Sequence, residues 1–259
     1  MKVIILAAGY GNRLRPYTNE IPKCMVELAG KPILHHQIDI LNAAGFNDIL
    51  VVGGYFIEKI SGKDFKIIKN EKYHCTNMVS SLFCAQEFMS EEEDLLIAYS
   101  DIIYEERVLD SLIDTNTSLA ISVDKNWMEL WKARMDNPLD DAETLRISSG
   151  KYVQELGKKP NDFKDIQGQY IGLIKVQSGF IGEFCRTWKK LDRKATYDGK
   201  NFDNMYMTSF LQKFINSGTK VEAAFTNGGW LEIDTKSDLD LYRHLHKINK
   251  LDKFIKLNQ

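Results

Sequence analysis

The first strand this chain can form is its strongest constraint. Lys2 to Ala7 (KVIILA) is a nearly unbroken apolar run that stops at a glycine-punctuated loop. A run without polar alternation has both faces to bury, as a central strand of a parallel sheet does. Parallel strands need a crossover, and the following residues supply one. Pro32 sits where a first helical residue is favoured and Gly45 where a helix stops. Between them Ile33, Leu34, Ile38, Leu41 and Ala44 form an apolar stripe at helical spacing. Asp48 to Gly53 (DILVVG) is a second buried strand. Strand, helix and strand make a βαβ unit with a right-handed crossover.

The alternation continues along the chain. Patterning predicts strands at 65–68, 95–99, 119–123, 170–176 and 220–225, and helices at 78–88, 105–113, 178–191, 203–215 and 236–248. In the last helix Leu239, Leu241, Tyr242 and Leu245 are the expected buried residues. Between about 124 and 167 the pattern loosens into a polar stretch spotted with aromatics, read as an inserted lobe. The expectation is one α/β domain over 1–259, with a Rossmann-like mixed, largely parallel sheet flanked by helices and a small inserted lobe.

Composition narrows the function. With 34 basic and 36 acidic residues, formal net charge is -2, so there is no electrostatic case for nucleic acid or an anionic membrane surface. Cys24, Cys75, Cys84 and Cys185 form no C-x-x-C pair or zinc spacing and read as free thiols in a reducing compartment. The apolar run from Val3 to Ala8 is too short for a signal segment or a membrane span, which points to the cytoplasm.

In open α/β sheets ligands bind beyond the carboxyl ends of the strands. The loop there reads LAAGYGNRLRP from Leu6 to Pro16 and continues to Pro22-Lys23. Gly9 and Gly11 can bring backbone N–H groups close to an anion, Arg13 and Arg15 add charge-assisted donors, and Lys23 adds a point charge. A dinucleotide-binding loop would need a third glycine where Leu14 stands, and the P-loop pattern is missing.

The string LAAGYGNRLRPYTNEIPK resembles the signature loop of the sugar-nucleotide and cytidylyl nucleotidyltransferases. The resemblance implies that the glycine loop wraps a triphosphate, that Arg13 meets the leaving pyrophosphate, and that Lys23 stabilises the reacting phosphates. Leu6, Ala7, Ala8, Gly9 and Gly11 are then nucleotide-binding, together with Ser100 at the end of a later strand.

Nucleotidyl transfer needs positioning and charge neutralisation, which Mg²⁺ supplies from one or two carboxylates plus substrate oxygens. Asp101, after the apolar strand LLIAY, and Asp234, in WLEIDT, are the candidate ligands. Each alone would pass for a helix or strand-end cap. The resemblance strengthens the metal reading, because the family places one aspartate after such a strand and another in an E-I-D-[ST] segment. Glu232 takes a supporting place.

The nucleotide is read from Asn77-Met78-Val79-Ser80-Ser81-Leu82, which follows N-x-K-Y (Asn70 to Tyr73) and resembles the phosphocholine cytidylyltransferase branch rather than G-T-A-x-[AS]. That implies CTP, with Asn77, Ser80 and Ser81 near the nucleoside. The acceptor should lie against the lobe. Trp127 and Trp131, four apart, can box a cationic head group or anchor the core. Arg134, Lys158 and Lys159 are candidate contacts for the acceptor phosphate, and Asp140, Asp141 and Glu143 for an amine. This stretch is similar to that of capsule-type cytidylyltransferases acting on amine-bearing phosphates such as phosphoglutamine, phosphocholine and aminoethylphosphonate.

The sequence therefore predicts a Mg²⁺-dependent cytidylyltransferase with roles for Lys23, Arg13, Asp101 and Asp234, acting in cell-surface polysaccharide synthesis as a monomer or homodimer. Its substrates are CTP and a small phosphorylated acceptor. The alternatives are a sugar-1-phosphate uridylyl- or thymidylyltransferase, a glycosyltransferase, and a non-catalytic nucleotide-binding regulator. A glycosyltransferase should carry D-x-D, which Asp101-Ile102-Ile103 does not provide.

Overall fold

The computed structural model describes residues 1–148 and 150–257. A nine-stranded sheet is built from β1 (Lys2–Ala7), β2 (Asp48–Gly53), β3 (Lys66–Lys69), β4 (Leu95–Tyr99), β5 (Leu119–Asp124), β6 (Leu145–Ser148), β7 (Tyr152–Leu156), β8 (Gln169–Val176) and β9 (Val221–Thr226). Their order across the sheet is β3-β2-β1-β4-β8-β5-β9-β7-β6. β1 lies between β2 and β4, parallel to both, with Ile4 opposite Leu50 on one side and Ile97 on the other. β3 is parallel to β2, and β9 to β5. Two strands run the other way: β8 between β4 and β5, and β7 between β9 and β6. The sheet is mixed and largely parallel, as the apolar runs predict.

Alternate residues of β1 feed opposite cores. Val3, Ile5 and Ala7 face α1 (Ile33–Ala43), α3 (Glu106–Ile113), α4 (Trp127–Arg134) and α7 (Lys236–Lys247). Ile4 and Leu6 face α2 (Met78–Cys84), α5 (Ile181–Lys190) and α6 (Met207–Asn216). A strand covered on both faces has nowhere to place polar residues, which accounts for the unbroken apolar runs.

Several boundaries move for physical reasons. Pro32 caps α1 rather than opening it, because it pairs across a two-residue ladder with Glu27, whereas Gly45 takes a φ of +82° just beyond the helix. The helix predicted at 78–88 breaks at Ala85 into a 3-10 turn, and that predicted from 203 starts at Met207, after a 3-10 turn capped by Asn201. Leu239 and Tyr242 are fully buried, while Leu241 and Leu245 pack partly exposed. The segment from 124 to 167 contributes α4, whose Trp127, Leu130 and Trp131 join one core, and a β6–β7 hairpin that extends the sheet beyond β9.

Candidate active site

A short antiparallel ladder assembles the candidate site. Ile102–Tyr104, just after β4, pairs with Trp230–Glu232, with Ile102 opposite Glu232. The Ile233 N–H donates to the Asp101 carbonyl at 2.9 Å. Asp101 and Asp234, far apart in sequence, are thereby set side by side at the end of the sheet. Buried Gln37 of α1 supports this turn, its amide donating to the carbonyls of Tyr99 at 2.9 Å and Ile102 at 2.8 Å. Arg134 of α4 supports the other partner. Its guanidinium forks onto Asp238, 3.1 Å to each oxygen, and reaches Glu232 at 2.6 Å. Asp238 in turn accepts from the Asp234 and Thr235 N–H groups and completes the capping box of α7.

The loop after β1 delivers the cations. Gly11 sits at φ +61° and opens a 3-10 turn, Asn12–Leu14, whose Leu14 is fully buried. The Thr18 hydroxyl donates to the Gly11 carbonyl at 2.8 Å, and the Tyr17 hydroxyl donates to Asp240 of α7 at 2.6 Å. The loop is thus held at both ends. Lys23 opens a second 3-10 turn, and its ammonium bridges Asp101 and Asp234 at 2.7 Å each. The Arg13 guanidinium pairs with the other oxygen of Asp234 at 2.5 Å while most of its side chain stays in solvent. Burial alone would depress the Lys23 pKa, but Asp101 and Asp234 outweigh it and hold the ammonium above its ordinary value. Burial would raise Asp234, yet Lys23, with Arg13 and Arg134, keeps it below the usual carboxylate range.

Two clefts meet here. The first, of about 330 Å³, is lined by Leu6, Ala7, Ala8, Gly9, Gly11, Asn12, Arg13, Lys23, Tyr73, Thr76, Asn77, Met78, Ser81, Ser100, Asp101 and Asp234. The second, of about 260 Å³, shares Arg13, Met78, Asp101 and Asp234 and continues between Trp131, Asp141, Glu143, Tyr170, Tyr206 and Glu232.

Most residues expected to hold a nucleotide therefore converge on one cleft. Ser80 is the exception: its hydroxyl donates to the Asp203 carbonyl and does not line the cleft. Asn77 lines the cleft and also caps α2, its side chain accepting from the Met78 N–H at 2.7 Å. Patterning missed Asn70, whose buried amide donates to Thr76 and Ser81, 2.9 Å each, and accepts from the Lys72 N–H. Asn70 thus shapes the cleft wall that Tyr73, Thr76 and Ser81 present, and its N-x-K-Y context was the available signal.

The acceptor candidates need correction. Arg134 is spent on Glu232 and Asp238 with its side chain 1% exposed, so it positions Asp234 rather than binding a phosphate. Lys158 pairs with Glu155, and Lys159 donates to the carbonyls of Leu139 and Asp140; neither reaches the cleft. Asp140 also lies outside it, accepting from Asn137. Trp127 is buried in the core against Trp131, edge to face at 5.7 Å, and only Trp131 reaches the cleft.

The carboxylates suit a hard cation. Asp101 and Asp234 already converge on one ammonium, and the second oxygen of Asp101 is buried without a partner. Among the described residues no group of three or more His, Cys, Asp or Glu side chains could hold a metal alone. Two carboxylates fit Mg²⁺, which completes its shell with water and substrate phosphates.

Comparison with known proteins identifies the family. Residues 3–146 match the MobA-like NTP transferase domain. The chain is 47% identical over 252 residues to the CTP:phosphoglutamine cytidylyltransferase of Campylobacter jejuni, covering 93% of this chain and 98% of that one. It is 41% identical over 91 residues to the choline-phosphate cytidylyltransferase of Streptococcus pneumoniae, a match covering 34% of this chain and 40% of that enzyme. The solved structure of the CTP:phosphocholine cytidylyltransferase from the same organism superposes with a TM-score of 0.70, over 96% of this chain and 99% of that one, at 23% identity; that likeness speaks to the fold. The chain belongs to the MobA-like NTP transferase family and is a nucleotidyltransferase.

Proposed function

We propose that this protein transfers CMP from CTP to a small phosphorylated acceptor of the phosphoglutamine kind and releases pyrophosphate. The observation that carries the reading is the Lys23 ammonium bridging Asp101 and Asp234 where the two clefts meet. Identity of 47% to a phosphoglutamine enzyme supports the choice of nucleotide and acceptor.

In the reaction an acceptor phosphate oxygen attacks the α-phosphorus of CTP. The new O–P bond forms as the bond from the α-phosphorus to the bridging oxygen of pyrophosphate breaks, and pyrophosphate leaves with that electron pair. A phosphate monoester is largely ionised near neutrality, with a second pKa of about 6, so the attacking oxygen needs no general base. Open backbone at Gly9 leaves room for the triphosphate, since a Cβ there would meet nothing within 4 Å. Arg13 and Lys23 neutralise charge that builds on the departing phosphates. Asp101 and Asp234 would hold Mg²⁺, which when bound withdraws charge from phosphate oxygens. The product, a CMP–acceptor conjugate joined through a P–O–P anhydride, is suited to a later transfer such as cell-surface polysaccharide assembly. Among the described residues no helix is long and apolar enough to cross a membrane.

The test is pyrophosphate release with Mg²⁺ from CTP, UTP, dTTP or ATP against a panel containing phosphoglutamine, phosphocholine and glucose-1-phosphate. Release with CTP and an amine-bearing phosphate, reduced at least ~100-fold in Asp101→Ala, is expected. Release only with UTP or dTTP and the sugar phosphate would overturn the reading.

A further inference from the structure

The second cleft is unusually acidic for a site that must accept a phosphate. Arg13 is the single cation among its lining residues, against Asp101, Asp141, Glu143, Glu232 and Asp234. Three of these carboxylates already have cations: Lys23 serves Asp101 and Asp234, Arg13 serves Asp234, and Arg134 serves Glu232. That leaves Asp141 and Glu143 as the carboxylates of this cleft with no cation beside them among the described residues. Their exposure is built in. Ala142 and Thr144 are 2% and 4% exposed, so Asp141 and Glu143 are the residues of this stretch left open to the cleft. Buried Gln169 locks the backbone there, accepting from the Glu143 N–H at 3.1 Å and donating to the Glu143 carbonyl at 2.7 Å.

A second feature of the same wall is unsatisfied. Trp131 is 4% exposed and lines the cleft, and its indole Nε1–H is buried without a partner. One face of that indole is already taken by the Arg134 guanidinium, 5.0 Å from the ring centroid. A quaternary ammonium has no N–H to donate and is bound through aromatic faces, of which Tyr170 and Tyr206 also line this cleft. A primary ammonium instead needs acceptors for its N–H groups, which two unpaired carboxylates provide.

Building on the function proposed above, we propose that Asp141 and Glu143 form the specificity subsite for a primary ammonium group on the acceptor, at the end of the cleft away from its phosphate. The phosphate sits toward Arg13 and Lys23, and the ammonium toward Asp141 and Glu143. The subsite thereby orients the acceptor and rejects phosphates that lack the amine. The Trp131 N–H is a spare donor for an oxygen of the same ligand, such as the carboxylate of an amino acid.

The experiment compares kcat/KM for phosphoglutamine, for its analogue lacking the α-amino group and for phosphocholine, in wild type, Glu143→Gln and the Asp141→Asn/Glu143→Gln double variant. Calorimetric CTP affinity serves as the check that each variant is folded. The wild-type preference for phosphoglutamine over the des-amino analogue should fall about tenfold or more in the double variant, the size of one charge-assisted hydrogen bond. An undiminished preference in a variant that still binds CTP would overturn the subsite. Wild-type preference for phosphocholine would overturn the primary ammonium while leaving cytidylyl transfer standing. No pyrophosphate from CTP with any of these acceptors would instead sink the functional reading on which the subsite rests.

Discussion

Gly9 and Gly11 stand two apart in the signature loop and answer to different demands. Gly11 holds φ +61°, where a side chain is strained, and a Cβ there would lie 3.1 Å from Lys23 and Thr18. Gly9 has ordinary φ and open space around it, so the fold does not require it. Gly11→Ala should therefore lower stability by about 1–2 kcal/mol, whereas Gly9→Ala should leave the denaturation midpoint within about 0.5 kcal/mol of wild type and raise the KM for CTP. Equal destabilisation by both would refute this division. Arg134 makes a sharper case. Removing its charge in Arg134→Met strands Glu232 and Asp238, a loss of about 3–5 kcal/mol visible in urea titrations; a neutral result would mean the clamp is not formed. Glu143 adds a pH signature. The cleft walls desolvate its carboxyl and Asp141 crowds it, pushing its pKa up to about 7. The ionised form pairs with an ammonium, so acceptor affinity should weaken as pH falls through that value in wild type. In Glu143→Gln this component of the profile should be missing, leaving the titration of the acceptor phosphate itself.

Single elements carry the two candidate carboxylates, Asp101 and Asp234, only through neighbours distant in sequence. The ladder between Ile102–Tyr104 and Trp230–Glu232 places Asp101 beside Asp234, and Gln37 holds the turn from below. Gln37→Leu leaves two carbonyls with a lost donor in a buried setting, which should cost about 1–3 kcal/mol and lower kcat more than it changes the KM for CTP. If kcat is untouched, the turn does not depend on α1. None of this was legible locally. A three-residue strand is too short for periodicity, and a buried glutamine in an apolar helix looks like one polar interruption. The aspartates themselves were legible because each ends a recognisable segment. Arg134, Lys158 and Lys159 were misjudged as acceptor contacts because charge alone does not say which carboxylate or carbonyl a cation has already found.

Across the whole molecule, the layered architecture was readable from the apolar runs, while strand direction was not. β8 is covered on both faces like its neighbours yet runs antiparallel between β4 and β5, and nothing in a strand buried on both faces records its direction. Nor did the loosened stretch after β5 announce that its hairpin would lengthen the sheet: β6 and β7 are half exposed and short. The consequence for function is that the two clefts share Arg13, Met78, Asp101 and Asp234, so the proposed substrates would meet at these aspartates. The central claim, attack of the acceptor phosphate on the α-phosphorus of CTP, is tested most directly by oxygen labelling. Phosphoglutamine carrying ¹⁸O in its phosphate is incubated with CTP, Mg²⁺ and enzyme, and the products are weighed by mass spectrometry. The account predicts that all label stays in the CMP–acceptor conjugate and that pyrophosphate is unlabelled. Label in pyrophosphate, or free CMP formed without a labelled conjugate, would contradict it.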